Sequence, residues 1–115
     1  MTDHVAMSPL DYHVLLALAE GPRHGYGIKE AVSEESGGTL DPQAASLYRI
    51  IARLITGGLV REVGPRSEEA PHPGRPRRYY DLSDPGRAAL AREARRQARA
   101  AALAAARLGL GTDPA

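Results

Sequence analysis

The sequence predicts a small, mainly α-helical protein with a small β-hairpin. Four segments carry helical periodicity or helix-capping signals, and two short β-type segments flank a loop rich in Pro and Gly. The 115 residues include five Tyr but no Trp or Phe, so the core must be built from aliphatic side chains, which suit helix packing. At this length we expect one compact unit with an appendage.

The first two helices are bounded by clear start and stop signals. Ser8-Pro9 is typical of a capped helix start, and Asp11 falls in the first turn, where a carboxylate is favourable. The helix should end at Gly21-Pro22, and its apolar stripe comprises Leu10, Val14, Leu15, Leu18 and Ala19. A shorter second helix is expected over about residues 25–36, ending at Gly37-Gly38.

The third helix has the strongest amphipathic pattern in the chain. Asp41-Pro42 repeats the cap-and-proline signature and should open it, and Gly57-Gly58 should close it. One face is apolar, formed by Leu47, Ile50, Ile51, Leu54 and Ile55. The opposite face has small residues and cations but no carboxylate, and it comprises Ala45, Ser46, Arg49, Arg53 and Thr56. A single extended pairing is expected around Thr39-Leu40, just before this helix.

Residues 59–63 and 77–82 read as two strands joined by a long loop over residues 65–76. Tyr79 and Tyr80 are adjacent in the second strand, so one should face the core and the other solvent or a groove. Ser83-Asp84-Pro85-Gly86 then caps a last helix that runs to about Leu108.

The order helix, helix, helix, strand, loop, strand, helix is that of a winged helix-turn-helix followed by a C-terminal helix. We therefore predict a winged helix-turn-helix domain over residues 8–83, a C-terminal dimerisation helix over 84–108 and a flexible tail over 109–115.

Several classes of function are disfavoured by composition. There is no cysteine, and the four histidines lack metal-ligand spacing, so neither a metal site nor thiol chemistry is expected. No catalytic pattern or phosphate-binding glycine loop occurs, which predicts a protein that is not an enzyme and needs no cofactor. Neither a signal peptide nor a membrane span is predicted, so a cytoplasmic protein with no membrane partner is expected.

The charges are unevenly distributed along the chain. Residues 1–74 carry 6 Lys and Arg against 10 Asp and Glu, whereas residues 75–115 carry 9 against 4. All cations except Lys29 are arginines, whose guanidinium groups suit bidentate contacts to phosphate or guanine. A codon bias toward arginine explains the same composition, so this observation alone does not decide for nucleic acid.

A helical face without carboxylates is what insertion into a DNA groove requires. This predicts DNA contacts from the third helix, through Gln43, Ala45, Ser46, Arg49 and Arg53, with a basic wing formed by Arg75 and Arg77. Tyr26 and Tyr48 can each present a hydroxyl to a backbone phosphate. The alternatives are a solvated helix face, a surface loop and two tyrosines at the edge of the core.

The last helix carries a stripe of small and apolar residues that predicts self-association. A second copy is the simplest partner for a helix of this length that projects from a small core. An isolated alanine-rich helix in solvent is the alternative. The expected dimerisation residues are Leu90, Ala94, Ala98, Ala101, Ala105 and Leu108.

Four groups of residues, in order along the chain, closely resemble the PadR family of bacterial transcriptional regulators. The resemblance covers roughly residues 10–95. The single C-terminal helix places the chain with the small subgroup of the family. The matching segments are Leu15-Leu16-Ala17-Leu18 with Glu20-Gly21-Pro22 and His24-Gly25-Tyr26-Gly27-Ile28, then Ser46-Leu47-Tyr48 with Arg53-Leu54 and Gly58-Leu59-Val60, then Gly74-Arg75-Pro76-Arg77-Arg78-Tyr79-Tyr80, then Leu82-Ser83 with Gly86-Arg87 and Leu90.

The resemblance implies a homodimer of winged-helix domains that represses a promoter through a partly palindromic operator in double-stranded DNA and is often released by a small-molecule effector. By position, Tyr26 and Tyr48 match tyrosines that touch the DNA backbone, residues 43–49 match the base-reading part of the third helix, and Arg75 and Arg77 match the wing. Two features depart from the pattern. Arg49 stands where many members have Pro, and the tryptophans between which members of the small subgroup can hold flat ligands are absent.

The resulting hypothesis is a sequence-specific DNA-binding transcriptional regulator, a repressor acting as a homodimer. The alternative is a winged-helix protein-interaction module that has lost DNA binding. The two hypotheses predict different effects of salt, because phosphate contacts make the affinity for DNA fall steeply as the salt concentration rises.

Overall fold

The computed structural model describes residues 7–64 and 78–110. It confirms a mainly helical fold with a small antiparallel sheet. The elements in chain order are α1 (Pro9–Ala17), β1 (Arg23–His24), α2 (Gly25–Glu35), α3 (Ala44–Thr56), β2 (Val60–Val63), β3 (Tyr79–Leu82) and α4 (Asp84–Leu108).

The first three helices enclose the core. The predicted start of α1 is confirmed, since the Ser8 hydroxyl accepts a hydrogen bond from the Asp11 amide at 3.0 Å and Pro9 opens the helix. The predicted apolar faces of α1 and α3 point inward, because only there can their side chains leave water together. The largest fully buried side chains are Val14, Leu15, Leu18, Ile28, Val32, Leu47 and Ile51.

The sheet has three strands in the order β1-β3-β2, all antiparallel to their neighbours. The expected pairing at Thr39-Leu40 is wrong, because the third strand comes from Arg23–His24. The reason is local: the Leu40 amide donates to the Ser36 hydroxyl at 2.9 Å, and the same hydroxyl donates to the Leu40 carbonyl. The polar groups of Leu40 are thereby satisfied without a strand partner.

The start of α3 also differs from the prediction. The helix begins at Ala44, and Gln43 occupies the cap position without a side-chain capping bond. The Asp41 carboxylate instead lies 3.7 Å from the ammonium group of Lys29 on α2. Asp41-Pro42 therefore belongs to the connection between α2 and α3, and its capping signature was misleading.

The two tyrosines of β3 are both buried, so the expectation that one faces solvent is wrong. Tyr80 belongs to the main core, whereas Tyr79 packs edge-on against the His24 ring with centroids 5.6 Å apart. His24 lies directly opposite Tyr79 in the β1–β3 pairing. Residues directly opposite each other in a pair of strands share one face of the sheet, so the His24 ring covers the face on which Tyr79 lies.

A tight joint connects the start of α4 to the turn before β2. The Ser83 hydroxyl donates to the Gly58 carbonyl at 2.6 Å, and the Ser83 amide donates to the Leu59 carbonyl at 3.1 Å. A Cβ atom at Gly86 would overlap that same Leu59 carbonyl, so only glycine permits this approach. The first half of α4 is thereby docked on the core, through Gly86, Ala89, Leu90 and Glu93.

Candidate nucleic-acid interface

The exposed face of α3 is concentrated at its N-terminal half. Gln43, Ala45, Tyr48 and Arg49 are exposed, and Ser46 is half-buried. The helix itself contains no acidic residue. The face therefore presents hydrogen-bonding groups and positive charge, with small side chains beside them that let another molecule approach the backbone closely.

Arg49 carries the free positive charge of this face. Its guanidinium donates to the Ser46 hydroxyl at 3.3 Å, and within residues 7–64 and 78–110 it makes no ion pair with a carboxylate. The exposed guanidinium retains most of its donors for an external acceptor.

Arg53, one turn further along α3, has a different environment. Its guanidinium forms two hydrogen bonds to the Asp11 carboxylate, at 2.7 Å to Oδ1 and 3.4 Å to Oδ2. This hydrogen bonding and the adjacent negative charge raise the pKa of Arg53. The Asp11 partner was missed by the sequence analysis, because 42 positions separate the two residues and neither carries a local signal of pairing.

Tyr26 and Tyr48 are both exposed, at 61% and 46% of their surface, although they come from different helices. A Cβ atom at Gly25 would overlap the Tyr48 hydroxyl, so the phenol lies directly over the first residue of α2. Tyr26 is the next residue along that helix. The fold therefore brings the two predicted tyrosines together at the N-terminus of α2.

The N-terminus of α2 is capped by an unpredicted residue. The His24 ring accepts a hydrogen bond through Nδ1 from the Gly27 amide at 3.1 Å. An open groove along α2 is lined by Arg23, Tyr26 and Lys29 and also by four acidic residues, Glu30, Glu34, Glu35 and Asp41. Lys29 was not among the predicted contacts, although its position three residues after Tyr26 places it on the same side of α2.

Arg75 and Arg77 of the predicted wing lie outside the described residues, as does the rest of the loop over 65–76. Arg78, at the base of the loop, lies 3.8 Å from the Glu62 carboxylate across the β2–β3 pair. A cation therefore stands at the start of the return strand, with a carboxylate as its neighbour.

The predicted dimerisation stripe divides into two parts. Leu90 packs against the core of its own chain, so part of its surface is already buried within the monomer. Ala94 and Ala105 are half-buried, whereas Ala98, Ala101 and Leu108 are exposed. Leu103 and Leu108 are exposed to 47% and 72%, so the second half of α4 carries apolar surface toward solvent.

The described part of the chain lacks both a cluster of metal ligands and a membrane-spanning helix. No group of three or more potential metal ligands occurs there. No helix among these residues combines the length and apolar character needed to cross a bilayer.

Comparison with known proteins assigns the chain to a family. Residues 14–92 match the model of the transcriptional regulator PadR-like family. A curated protein described as an uncharacterized 37.1 kDa protein in transposon TN4556 of Streptomyces fradiae is 41% identical over 86 residues, which make up 75% of this chain and 22% of that protein. The chain thus spans about a fifth of this relative's length.

Solved structures share the fold. A PadR-like transcriptional regulator from Bacillus cereus matches with a TM-score of 0.68 at 19% identity, over 89% of this chain and 92% of that one. The protein smu.1704 from Streptococcus mutans matches with 0.67 at 21% identity, over 97% and 100%. Bacillus subtilis PadR in complex with operator DNA matches with 0.59 at 23% identity, over 72% and 45%.

The winged helix-turn-helix fold and the resemblance found in the sequence motifs are confirmed by these matches. The family consists of transcriptional regulators rather than enzymes, which agrees with the prediction from composition. Because the family model covers more than half of the sequence, this chain belongs to the PadR-like family of transcriptional regulators.

Proposed function

We propose that this chain binds operator DNA as a homodimer and represses transcription by occluding a promoter. The observation that carries the proposal is the exposed N-terminal half of α3, which has no carboxylate and lies beside Tyr26 and Tyr48. It presents Arg49, which has no carboxylate partner among the described residues. The shared fold of a PadR protein that was solved with operator DNA supports it. We infer a cytoplasmic location, where operator DNA is found.

In this proposal α3 enters the major groove, and the exposed residues of its N-terminal half face the DNA. Gln43 and Arg49 donate to base edges or to a phosphate, and Ala45 permits the close approach that those contacts require. Tyr26 and Tyr48 donate their hydroxyl groups to phosphates on the rim of the groove, and Arg75 and Arg77 follow the neighbouring groove. Ser46 keeps the Arg49 side chain extended along the helix face.

The proposed dimer is formed by the exposed part of α4, where Ala98, Ala101 and Leu108 share one side of the helix. A two-fold dimer places its two α3 helices in successive major grooves, about 34 Å apart along the DNA. A partly palindromic operator follows from that symmetry. Release by a small-molecule effector is proposed as well, and an effector that binds the folded dimer should raise its thermal midpoint while lowering its affinity for DNA.

The decisive experiment measures binding of the full chain to the intergenic DNA upstream of its own gene at two salt concentrations. We expect Arg49→Ala to weaken binding about 10- to 100-fold, which is the usual effect of one lost base contact. If Arg49 instead contacts a phosphate, the slope of log K against log salt should become shallower by about 1. Arg99→Ala, an exposed helical arginine on α4, is the matched control and should bind like wild type.

A protein-interaction module remains the second candidate, favoured by the exposed Leu103 and Leu108 on α4. It predicts no binding to the upstream DNA at either salt concentration by a folded, dimeric protein. That result would overturn the repressor proposal, whereas sequence-dependent binding that Arg49→Ala loses would exclude the module.

A further inference from the structure

The Asp11–Arg53 ion pair connects the start of α1 to the end of α3. Asp11 lies in the first turn of α1 and is only 7% exposed, whereas Arg53 lies in the last turn of α3. Two nitrogens of the guanidinium meet two oxygens of the carboxylate. A planar fork on a carboxylate defines direction as well as distance, unlike a single hydrogen bond.

Arg53 stands on the same side of α3 as the proposed reading residues. Ser46, Arg49 and Arg53 are spaced i, i+3 and i+7, which places them within one stripe at 100° per residue. The other side of α3 is held by Leu47, Ile51 and Leu54, whose apolar contacts are non-directional. The ion pair is thus the directional contact at the end of the stripe.

The positive charges of the two arginines in this stripe are compensated to different extents. The Asp11 carboxylate compensates the charge of Arg53, although the Arg53 side chain is 59% exposed and water screens the pair on its outer side. Arg49 has no such partner in the described chain. Only Arg49 therefore offers DNA an uncompensated charge from α3.

We propose that Asp11 is a specificity-determining positioning residue that acts through Arg53. The pair fixes the rotation of α3 about its own axis and so sets the direction in which Gln43 and Arg49 meet base edges. A rotational error of a fraction of a turn moves these side chains away from hydrogen-bond distance of the bases, while phosphate contacts, which tolerate a wider range of positions, persist. This inference rests on the proposed DNA-binding function.

The test compares affinity for two duplexes, one selected by the wild-type protein from a random library and one of unrelated sequence, at a single salt concentration. The variants are Asp11→Asn, which keeps the size but removes the charge, and Arg53→Lys, which keeps the charge but removes the fork. We expect both to lower the ratio of the two affinities by about tenfold or more, the scale of one lost base contact. Affinity for unrelated DNA should change by less than about twofold in Arg53→Lys, which keeps both charges, and should rise in Asp11→Asn, which leaves the Arg53 charge uncompensated. Arg49→Ala is the comparison, because it should lower the ratio through a lost base contact, or lower both affinities through a lost phosphate contact, without disturbing α3.

The proposal fails if folded Asp11→Asn and Arg53→Lys keep the wild-type ratio, or if they lose both affinities in parallel, as a merely structural defect would cause. Circular dichroism establishes folding at the assay temperature, and Arg53→Lys decides the matter if Asp11→Asn does not fold. A wild-type protein without any sequence preference would instead remove the proposed function and this inference together. A preserved ratio in the variants would remove the positioning role alone.

Discussion

At the scale of single residues, identical side chains acquire different roles from their surroundings. Arg49 and Arg53 are one turn apart on α3, yet of the two only Arg53 is bound by a carboxylate within residues 7–64 and 78–110. The hydrogen bonds and charge of that carboxylate raise the pKa of Arg53. Both remain exposed, so exposure does not distinguish them. The difference lies in a partner from another helix.

At two glycines, the rigidity of the neighbouring atoms determines how much an alanine substitution destabilises the protein. An added Cβ at Gly86 would overlap the Leu59 main chain, which is fixed by the Ser83 joint. An added Cβ at Gly25 would overlap the Tyr48 phenol, an exposed side chain that can rotate into solvent. We expect Gly86→Ala to lower the free energy of unfolding by about 2 kcal/mol or more and Gly25→Ala by less than about 1 kcal/mol.

Urea unfolding followed by circular dichroism measures both variants. Gly27→Ala is the control, because its nearest neighbour would lie at an ordinary 3.5 Å and alanine favours the helix. It should be as stable as wild type or slightly more so. Equal stability of Gly86→Ala and wild type would show that the Ser83 joint is not as rigid as described.

At the scale of elements, α4 consists of two halves stabilised in different ways. The first half docks through Gly86, Ala89 and Glu93, whereas the second half is mostly exposed. The exposed half is rich in Ala, Arg and Leu, the residues with the strongest intrinsic helix preference. Gly109 then ends the helix in the left-handed conformation, with φ of 69°. Propensity and a C-terminal cap thus maintain the part of α4 that has little packing within its own chain.

The buried carboxylate of α4 gives a pH-dependent contribution to stability. Hydrogen bonds from Arg96 and Gln97 lower the pKa of Glu93 from 4.5 to about 2. Because the unfolded chain binds this proton more readily, the contribution is complete above about pH 4.5 and is lost progressively as pH falls toward 2. We expect the free energy of unfolding of Glu93→Gln to lie below wild type at pH 7, to approach it as pH falls below 4.5, and to meet it only below about pH 2.

Urea unfolding at pH 2.5, 3.5 and 7 checks this prediction. Glu62→Gln is a suitable control, because its half-exposed carboxylate lies 3.8 Å from Arg78 and should add little pH dependence. A constant difference between Glu93→Gln and wild type at every pH would mean that the ionisation of Glu93 does not contribute.

At the scale of the whole molecule, the two proposed interfaces respond to salt in opposite directions. The α3 face offers positive charge to a polyanion, so DNA binding should weaken as salt screens it. The α4 helix carries six arginines against Asp84 and Glu93, so two copies repel each other. Self-association through α4 should therefore strengthen when salt screens that repulsion.

We expect the dimer dissociation constant, measured by sedimentation equilibrium, to fall as salt rises from about 50 to about 500 mM. Ala101→Lys places a bulky cation in the proposed seam and should shift the protein to monomer. Ala106→Lys makes the same substitution on the same exposed half of the helix, but about 140° away from Ala101 at 100° per residue, and should leave the dimer intact. If both variants weaken the dimer equally, either the dimer contact lies elsewhere or the added charge alone causes the weakening.

The sequence by itself determined the elements whose causes lie within a few residues. The cap formed by Ser8 and Pro9, the apolar face of α3 and the bounds of α4 all depend on contacts between neighbours in the chain, which leave a pattern that can be read directly. The motifs that identified the family could likewise be read from the sequence.

Only the tertiary structure decided which distant residues meet. It paired Asp11 with Arg53, placed Tyr48 over Gly25, made Arg23–His24 rather than Thr39-Leu40 the third strand, and buried both tyrosines of β3. The Asp41-Pro42 signature failed for the same reason, since Lys29 on another helix lies beside the carboxylate that was expected to cap α3. Local preferences differ by a fraction of a kcal/mol, about the scale of a single surface contact, so packing between elements can overrule them and leaves no pattern in the sequence.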